Sequence, residues 1–346
     1  MKKFLVTLIL CSLHVANIYA QQSETAFLVQ PYLQNADPNS IIIKWETTEG
    51  EESMVEYGLS PKLDKKENGI SYDINFSDSR IHEVKLDGLK RFTTYYYRVL
   101  TGKLVSDIFQ FKTPPFASDN ESFRLLAMSD MQYDSQEPNK FSEIVNDGIL
   151  PYLKTTYGEN LPQNLALVMV PGDLVENGTK YFQWKDHFFE PAQKLFAEVP
   201  VYPVLGNHEK NSTFYFKYFS LPENGTPAYA EHWWYKDYGN VRIIGLNSND
   251  GYADSKDQFA WLEQVLKQTE SNEDIDFVFA QLHHPHKSEL WIPGERPSTG
   301  KVVELLEKFT TKTGKPSLHF FGHTHGYSRG QSKDHKHLWV NVATAG

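Results

Sequence analysis

The sequence contains almost no cysteine and has no excess of positive charge. Cys11 is the single cysteine among 346 residues, and it lies in an N-terminal segment with the features of a leader. Without that segment the chain has no disulfides and no thiolate ligands, so a metal would have to be bound by oxygen and imidazole nitrogen. Lys and Arg number 34 against 44 Asp and Glu, a formal net charge of -10. This acidic balance disfavours a general nucleic-acid binder.

The chain also has no apolar stretch long enough to span a membrane. Its most apolar segment runs from Phe4 to Leu13, after Lys2 and Lys3 and before a small residue at Ala20. This pattern is typical of a secretory signal peptide and is too short for a membrane span. We therefore predict a signal peptide over residues 1–20 and an exported protein that is periplasmic, on the cell surface or secreted.

Two regimes of composition follow the leader. Residues 26–113 consist of short segments rich in β-branched and aromatic residues, such as SIIIKWETT and TTYYYRVL, separated by turn signals such as DPN and LSPK. This spacing predicts a small all-β antiparallel sandwich. The polar stretch PPFASDNES, residues 114–122, has the composition of a linker.

From residue 123 onward the pattern changes to strands and helices. The runs FRLLAM, LALVMV, VYPVL, VRIIGL, FVFAQL and LHFF are nearly continuous in apolar residues, as in strands buried on both faces. Between them, KDQFAWLEQVLKQ and KVVELLEKF repeat apolar residues at helical spacing. We predict an α/β layered domain over residues 123–346.

Polar groups that can bind metals follow five of these apolar runs. Open α/β sheets form their sites at the carboxyl ends of the strands, so these groups should converge at one edge. Carboxylate, amide and imidazole suit a pair of hard or borderline cations. Two histidines separated by one residue project to the same side of an extended segment and could serve two metals about 3.5 to 4 Å apart. The residues in question are Asp130, Asp173, Asn207, His208, His283, His284, His323 and His325.

These segments, taken in order, resemble the signature of calcineurin-like metallophosphoesterases. The matching residues are Asp130, the GD of VPGDLVENG, the GNHE of VLGNHEK, the first His of QLHHPHK and the GHTH of FGHTHG. With a fibronectin type III-like domain in front, the layout is similar to that of purple acid phosphatases. The resemblance implies an α/β/β/α sandwich with a dinuclear centre. It assigns one metal to Asp130, Asp173 and His325, and the other to Asp173, Asn207, His283 and His323.

The sequence departs from the family pattern at two positions. Gln132 stands where the broader family has a histidine, and Glu176 stands where purple acid phosphatases have a tyrosine. Either side chain could supply an additional ligand to the first metal, and the sequence does not choose between them. Without a tyrosinate ligand we expect no purple ferric chromophore, and Fe, Zn and Mn all remain candidates. His284, next to the ligand His283, is predicted to lie behind the ligands.

The resemblance implies a phosphatase that acts on small phosphate monoesters. Two cations lower the pKa of a bridging water, and the resulting hydroxide attacks phosphorus in line. Asp173 and His208 are the predicted catalytic residues, with His208 stabilising the phosphoryl oxygens or protonating the leaving oxygen. Glu209 is expected to orient the His208 ring. His286 and Arg329 are candidates for contact with the substrate.

Several alternatives remain open from the sequence. The fold also suits a phosphodiesterase or nucleotidase, and the changes at Gln132 and Glu176 would suit a degenerate binding protein that has lost catalysis. GYSRG, residues 326–330, fits the nucleophile elbow of serine esterases, but no helical pattern follows it, so we reject that activity. The aromatic cluster HWWYKDYGN, residues 232–240, is predicted to be a packed hairpin. The chain ends at HLWVNVATAG, and because the family usually continues past such a strand, we expect a domain truncated at its C-terminus.

Overall fold

The computed structural model describes residues 25–74 and 78–346. The predicted signal peptide lies outside the described residues.

The first domain is a pair of antiparallel sheets. One sheet has the strand order β1-β2-β6-β5 and the other has the order β4-β3-β7-β8, with β9 also paired to β7. The burial of β7 alternates strictly, with Tyr95, Tyr97 and Val99 pointing into the core, as a period of two requires. The strands are β1 (Phe27–Asp37), β2 (Ser40–Thr47), β3 (Met54–Gly58), β4 (Lys65–Asn68), β5 (Ile70–Asp73), β6 (Arg80–Leu86), β7 (Thr94–Thr101), β8 (Leu104–Val105) and β9 (Phe109–Lys112).

The second domain contains two further sheets. A three-stranded parallel sheet has the order β10-β11-β12, and a six-stranded mixed sheet has the order β13-β14-β15-β16-β18-β17. In the larger sheet β14, β15, β16 and β18 are parallel, and β13 and β17 are antiparallel edges. The strands are β10 (Leu125–Ala127), β11 (Leu167–Val170), β12 (Val201–Pro203), β13 (Trp234–Tyr238), β14 (Val241–Gly245), β15 (Phe277–Gln281), β16 (Ser317–Phe321), β17 (Gly326–Gln331) and β18 (His337–Ala343).

Helices cover these sheets. The two longest, α7 and α8, bury one apolar face each, as the spacing of their apolar residues predicts. None of the helices in the described ranges is long and apolar enough to cross a bilayer. The helices are α1 (Lys140–Glu143), which continues through the π-helical segment Ile144–Ile149 into α2 (Leu150–Tyr157), then α3 (Leu161–Asn164), α4 (Tyr181–Gln183) with the π-helical Trp184–Phe189, α5 (Gln193–Phe196), α6 (Thr213–Tyr218), α7 (Lys256–Glu270) and α8 (Pro297–Thr313); short 3₁₀ turns span Ala117–Asp119, Pro227–Tyr229 and Ile292–Gly294.

The predicted fold class is confirmed. All six apolar runs after residue 123 contain a strand, and both helical patterns form helices. The aromatic cluster at residues 232–240 forms the β13 arm of a hairpin with β14. GYSRG lies within β17 and pairs with β18, so it is not a strand-to-helix turn. The finer assignment of the first domain to the fibronectin type III type stays a prediction.

The two domains share one core. Val29, Tyr32 and Ile81 of the first domain belong to the same buried cluster as Trp184 and Tyr218 of the second. The Tyr32 hydroxyl donates to the backbone oxygen of Tyr218 at 2.6 Å. The first domain therefore packs directly on the second and is not a separate spacer.

Polar groups are buried in the same interface. Lys44 is fully buried, and its Nζ donates to Lys217 O at 2.9 Å and to Ser220 Oγ at 2.8 Å. It also lies 3.1 Å from Glu83 Oε2. Glu46, on the same face of β2, accepts a hydrogen bond from the Tyr218 hydroxyl at 2.9 Å. These side chains have partners across the interface, as buried polar groups require.

Candidate metal centre

The candidate ligands lie at the carboxyl ends of strands from both sheets of the second domain. Asp130 follows β10, Asp173 follows β11, Asn207 follows β12, His283 follows β15 and His323 follows β16. Because the strands in each group are parallel, their carboxyl ends lie at the same edge of their sheet. The arrangement brings together residues that are up to 193 positions apart in sequence.

The backbone is left-handed at four of the candidate ligands. The φ angle is 61° at Asp130, 54° at Asp173, 70° at His323 and 29° at His325. Among residues other than glycine, Asp, Asn and His are the most tolerant of this region. Backbone strain of this kind clusters at functional sites.

Glycines of three motifs allow the strand ends to approach closely. A Cβ on Gly172 would lie 2.6 Å from His283 Nδ1, and one on Gly206 would lie 2.2 Å from Asp173 Oδ1. A Cβ on Gly322 would lie 2.3 Å from Asp130 Oδ2. The glycines of the GD, GN and GH pairs are thus required by the proximity of the candidate ligands.

The surroundings of His283 fit a cation. Its Nδ1 lies 2.9 Å from the carbonyl oxygen of Pro171 and donates to it, so in the neutral ring Nε2 carries a lone pair. Nε2 lies 3.0 Å from Asp173 Oδ2, 3.0 Å from Asn207 Oδ1 and 3.2 Å from His323 Nδ1. One nitrogen cannot donate to three acceptors. Once Nε2 has lost its proton, its lone pair faces oxygen atoms of Asp173 and Asn207 and lies next to His323 Nδ1, which is an arrangement that a bound metal satisfies.

Asp130 forms the second part of the cluster. Ser129 Oγ donates a short hydrogen bond to its Oδ2, and the His323 backbone N–H lies 3.0 Å from both carboxylate oxygens. His325 Nε2 lies 3.4 Å from Asp130 Oδ1, and the His325 side chain is 66% exposed. Gln132 Nε2 lies 2.9 Å from His325 Nε2, and the other amide atom of Gln132 is buried without a partner. The Gln132 amide is thus placed where it could act as a ligand.

Two sets of ligand atoms are close enough for metal binding. The ligand atoms of Asp130, Asp173 and His283 lie within 4.8 Å of one another, and so do those of His283, His284 and His323. His283 belongs to both sets, whereas the predicted ligand His325 belongs to neither and is placed near the first set by its 3.4 Å approach to Asp130. Carboxylate with imidazole in the first set and three imidazoles in the second suit Fe, Zn or Mn.

Electrostatics keep Asp173 anionic and His323 neutral, and they favour a proton on His283 when no cation is bound. Burial opposes ionisation of Asp173, but the neighbouring His283 and His208 outweigh it and lower the pKa of Asp173 to about 2. Burial, together with the charge of His283, lowers the pKa of His323 to about 3. Burial lowers the pKa of His283, but the Asp173 carboxylate outweighs burial and raises this pKa to about 9. In the absence of a cation a proton balances the Asp173 charge, so binding a metal would release it.

Glu209 holds the loops that carry two candidate ligands. Its Oε2 accepts hydrogen bonds from the backbone N–H of Asp173 at 2.9 Å and of Gly206 at 2.6 Å. Its Oε1 accepts from Leu174 N at 2.7 Å. Burial raises the pKa of Glu209 and the charge of Asp173 adds to this shift, whereas the hydrogen bonds from Gly206 and Leu174 favour the ionised carboxylate. Glu209 thus contacts the backbone of the metal site and not the His208 ring.

His208 lies beside the cluster with its ring fixed by a carbonyl group. Its Nδ1 lies 2.6 Å from Glu176 O and donates to it, and its Nε2 lies 3.9 Å from Asp173 Oδ2. The expected orientation by Glu209 is replaced by this backbone contact. The Glu176 carboxylate is exposed and accepts from Gln183 Nε2 at 3.4 Å, so the structure places it outside the two ligand sets.

His284 packs directly against the candidate ligands, as a residue behind them or a further ligand would. Its ring centroid lies 4.4 Å from that of His323, and its Nδ1 lies 2.9 Å from Ser248 Oγ. Its Nε2 is buried without a partner. Burial and the charge of His283 lower the pKa of His284 to about 2, so the ring is neutral. The structure therefore places His284 either as a ligand or in contact with one.

His286, one of the two predicted substrate residues, faces a cavity separate from the candidate ligands. The His286 ring packs against Gly300 of α8 and lines a cavity of about 960 Å³ whose lining includes none of the candidate ligands. Arg329 is exposed on β17. Arg296 was missed by the sequence reasoning: its charge contributes to the lowered pKa of His284 and of His323.

Ser129 and Ser248 were also missed. Ser129 immediately precedes Asp130, and Ser248 follows the fourth apolar run, VRIIGL, so both stand near strand ends like the candidate ligands. That position was the signal that could have identified them.

Comparison with known families agrees with this geometry. Residues 123–327 match the calcineurin-like phosphoesterase family, and residues 28–113 match the N-terminal domain of purple acid phosphatases. The chain belongs to the calcineurin-like phosphoesterase family. The prediction of a phosphoesterase is thus confirmed at the level of the family, and so is the resemblance to purple acid phosphatases.

Relatives of this calcineurin-like phosphoesterase include plant enzymes. Probable purple acid phosphatase 20 of Arabidopsis thaliana is 27% identical over 327 residues, covering 89% of this chain and 70% of the relative. Purple acid phosphatase 21 of Arabidopsis thaliana is 28% identical over 293 residues, covering 80% and 60%. The chain therefore spans between 60% and 70% of the length of these relatives.

Solved structures share the fold. Purple acid phosphatase PPD1 from yellow lupin (Lupinus luteus) seeds superposes with a TM-score of 0.67 at 16% identity, covering 91% of this chain and 64% of that one. The structure of PhoD gives a TM-score of 0.66 at 12% identity, covering 92% and 77%. At these identities the similarity concerns the fold alone.

Proposed function

We propose that this calcineurin-like phosphoesterase is an exported phosphatase that hydrolyses small phosphate monoesters with two Fe, Zn or Mn ions. The observation that carries the proposal is the convergence of lone pairs at His283 Nε2, with Asp173, Asn207 and His323 within 3.2 Å of it. Membership of the family supports the reaction class. Export is supported by the basic and then apolar pattern of residues 1–20.

The ligands would divide between two metals with Asp173 shared. Asp130 and His325 would hold the first metal, with Gln132 as a further oxygen donor, and Asn207, His283 and His323 would hold the second. The metal pair would supply an activated water at neutral pH and neutralise charge on the phosphoryl oxygens.

His208 is the protein group that would act on the substrate directly. Because its Nδ1 donates to the Glu176 carbonyl, its Nε2 is free to exchange a proton on the side of Asp173. From that position it would contact a phosphoryl oxygen or deliver a proton to the leaving oxygen. Asp173 would hold both metals, and Glu209 would fix the backbone that carries Asp173 and Gly206.

The function is tested by metal analysis of the purified protein together with turnover of p-nitrophenyl phosphate and bis-p-nitrophenyl phosphate. We expect two metals per chain, faster hydrolysis of the monoester, and loss of both turnover and metal in Asp173→Ala. Asp254→Ala, at an exposed aspartate 75% accessible to solvent, is the matched control. Faster hydrolysis of the diester would instead indicate a phosphodiesterase. N-terminal sequencing of the protein from the extracellular or periplasmic fraction would test export.

A degenerate binding protein is the second candidate. It is favoured by the orientation of the Glu176 carboxylate toward Gln183, which removes Glu176 as an additional ligand of the first metal. A purified protein that binds one metal or none and hydrolyses neither ester would support this candidate.

A further inference from the structure

An apolar rim lies beside the candidate metal centre. It consists of Leu290, Trp291, Ile292 and Tyr327, whose exposed fractions are 51%, 48%, 72% and 62%. The Trp291 ring lies 5.2 Å from the His323 ring between centroids. Leu290 packs over Gly326, next to Tyr327, because a Cβ on Gly326 would lie 2.2 Å from Leu290 Cδ1. Leu290, Trp291 and Tyr327 therefore border the GHTH segment, with Ile292 next to them in the chain, and clustered exposed apolar residues commonly mark a binding surface.

Hydrogen bonds and an ion pair hold the segment that carries Leu290, Trp291 and Ile292. Ser288 Oγ accepts hydrogen bonds from the backbone N–H of Leu290 and of Trp291, both at 3.1 Å. Glu295 accepts from Ser288 N at 3.1 Å and pairs with Lys287 Nζ at 2.7 Å. The apolar side chains are thus held on a loop with its own hydrogen bonds, which lowers the entropy cost of using them for binding.

The candidate ligand His323 is packed directly against this rim. Its ring lies between that of His284, at 4.4 Å, and that of Trp291, at 5.2 Å. Gly294 permits this contact, because a Cβ there would lie 2.7 Å from Trp291 Cε3 and 2.9 Å from His323 Cδ2. A phosphoryl group at the metals would therefore have its ester group within reach of the indole ring.

We propose that the apolar rim binds the leaving group of the substrate and selects phosphate monoesters of aromatic or other flat apolar alcohols, with Trp291 as the main specificity residue. This inference rests on the proposed phosphatase function and adds the substrate class. The favoured occupant is a small ester because the rim is continuous with the candidate ligand His323. An aromatic leaving group would stack on the indole, whereas a polyol would leave this surface unused.

The test measures binding of two phosphonates that cannot be hydrolysed, by calorimetry on the metal-loaded protein. Phenylphosphonate presents an aromatic group and methylphosphonate does not. We expect phenylphosphonate to bind about two- to tenfold more tightly than methylphosphonate, the range for one aromatic pair. Trp291→Ala should weaken the binding of phenylphosphonate and leave that of methylphosphonate unchanged, so that the ratio of the two affinities comes close to one. Trp291→Phe should keep part of the preference for phenylphosphonate. The control is Tyr152→Ala, at an aromatic residue of α2 that is 60% exposed.

The outcomes are distinct. A ratio unchanged in Trp291→Ala, or an equal loss for both phosphonates, would overturn the proposal. So would concentration-dependent dimerisation that Trp291→Ala abolishes while the ratio is unchanged, because the rim would then bind a second copy of the chain. Turnover of p-nitrophenyl phosphate is measured in parallel. Its absence would refute the phosphatase function, while the ratio of phosphonate affinities would still decide the role of Trp291.

Discussion

The Glu209 carboxylate accepts a 2.9 Å hydrogen bond from the backbone N–H of Asp173, the residue that would bridge the two metals. The same oxygen accepts from Gly206, one residue before Asn207. One buried carboxylate therefore fixes the two loops that carry the candidate ligands Asp173 and Asn207. This relationship makes Glu209 a positioning residue, and its effect should appear in metal binding as well as in activity.

Glu209→Gln should weaken metal binding. The glutamine NH₂ group would face backbone N–H donors that the carboxylate now satisfies, leaving at least one buried donor unpaired at a cost of about 1 to 3 kcal/mol. Loss of such an outer contact typically lowers metal affinity about 10- to 100-fold. Titration of the metal-free variant with Zn²⁺ or Mn²⁺ measures this change. Glu263→Gln, on the exposed face of α7, is the matched control, and equal affinities in the two variants would contradict the role of Glu209.

His208→Ala should impair turnover without removing metal. His208 lies outside both sets of ligand atoms, and its ring is fixed by the Glu176 carbonyl. Loss of a group that protonates the leaving oxygen costs about 10²- to 10⁴-fold in kcat. Metal content by mass spectrometry should remain that of the wild type. His335→Asn, at an exposed residue of positive φ, is the control; a His208 variant that loses metal would identify His208 as a ligand.

Lys44→Met should destabilise the junction between the domains. The ammonium group of this fully buried lysine has three partners across or beside the interface, including Glu83 at 3.1 Å. Its loss removes a charged donor from the Glu83 carboxylate, whose side chain is 25% exposed, and typically costs about 1 to 3 kcal/mol. Urea unfolding measures the loss. Lys85→Met is the control, because Lys85 pairs with Asp87 on the surface and exposed pairs contribute at most about 1 kcal/mol. Equal losses would show that the buried pair has no special role.

Glu231 should make the stability of the protein depend on pH. Burial raises its pKa from 4.5 to about 7, although Leu221 N donates to its carboxylate at 2.7 Å. A raised folded-state pKa gives stability that is present below the unfolded pKa and lost as pH rises through the folded value. The free energy of unfolding should therefore fall between about pH 5 and about pH 8, by up to about 3 kcal/mol from this group.

Glu231→Gln should remove this dependence, because glutamine resembles the protonated acid. The variant should be more stable than the wild type at about pH 8 and similar to it at about pH 5. Glu263→Gln, at an exposed glutamate of α7, should keep the wild-type profile. Parallel curves for the wild type and Glu231→Gln would show that Glu231 does not titrate in this range.

Much of the fold could be predicted because each domain repeats a simple period. The alternation in TTYYYRVL and the continuous apolar runs after residue 123 identify strands of two different kinds. The candidate ligands could be predicted for the same reason, since Asp130, Asp173 and His323 stand shortly after such runs. Local order along the chain was enough to bring them to one edge of the sheets.

Contacts between distant segments could not be predicted in this way. The alternation of β2 places Trp45 in the core of the first domain and Lys44 and Glu46 on its outer face. That face is covered by the second domain, which no period within β2 can reveal. The backbone groups bound by Glu209 and by His208 lack a sequence signal too, because any residue type can supply an N–H or a carbonyl oxygen.

The core shared by Tyr32, Ile81, Trp184 and Tyr218 has a consequence for work with this protein. A fragment that begins near residue 123 would expose aromatic rings and would leave the hydroxyls of Tyr181 and Tyr218 without Glu46. Such a fragment would tend to aggregate even with every candidate ligand present. The catalytic half is therefore best expressed with its neighbour attached, and exchanging the first domain for an unrelated one would require redesign of the whole contact surface.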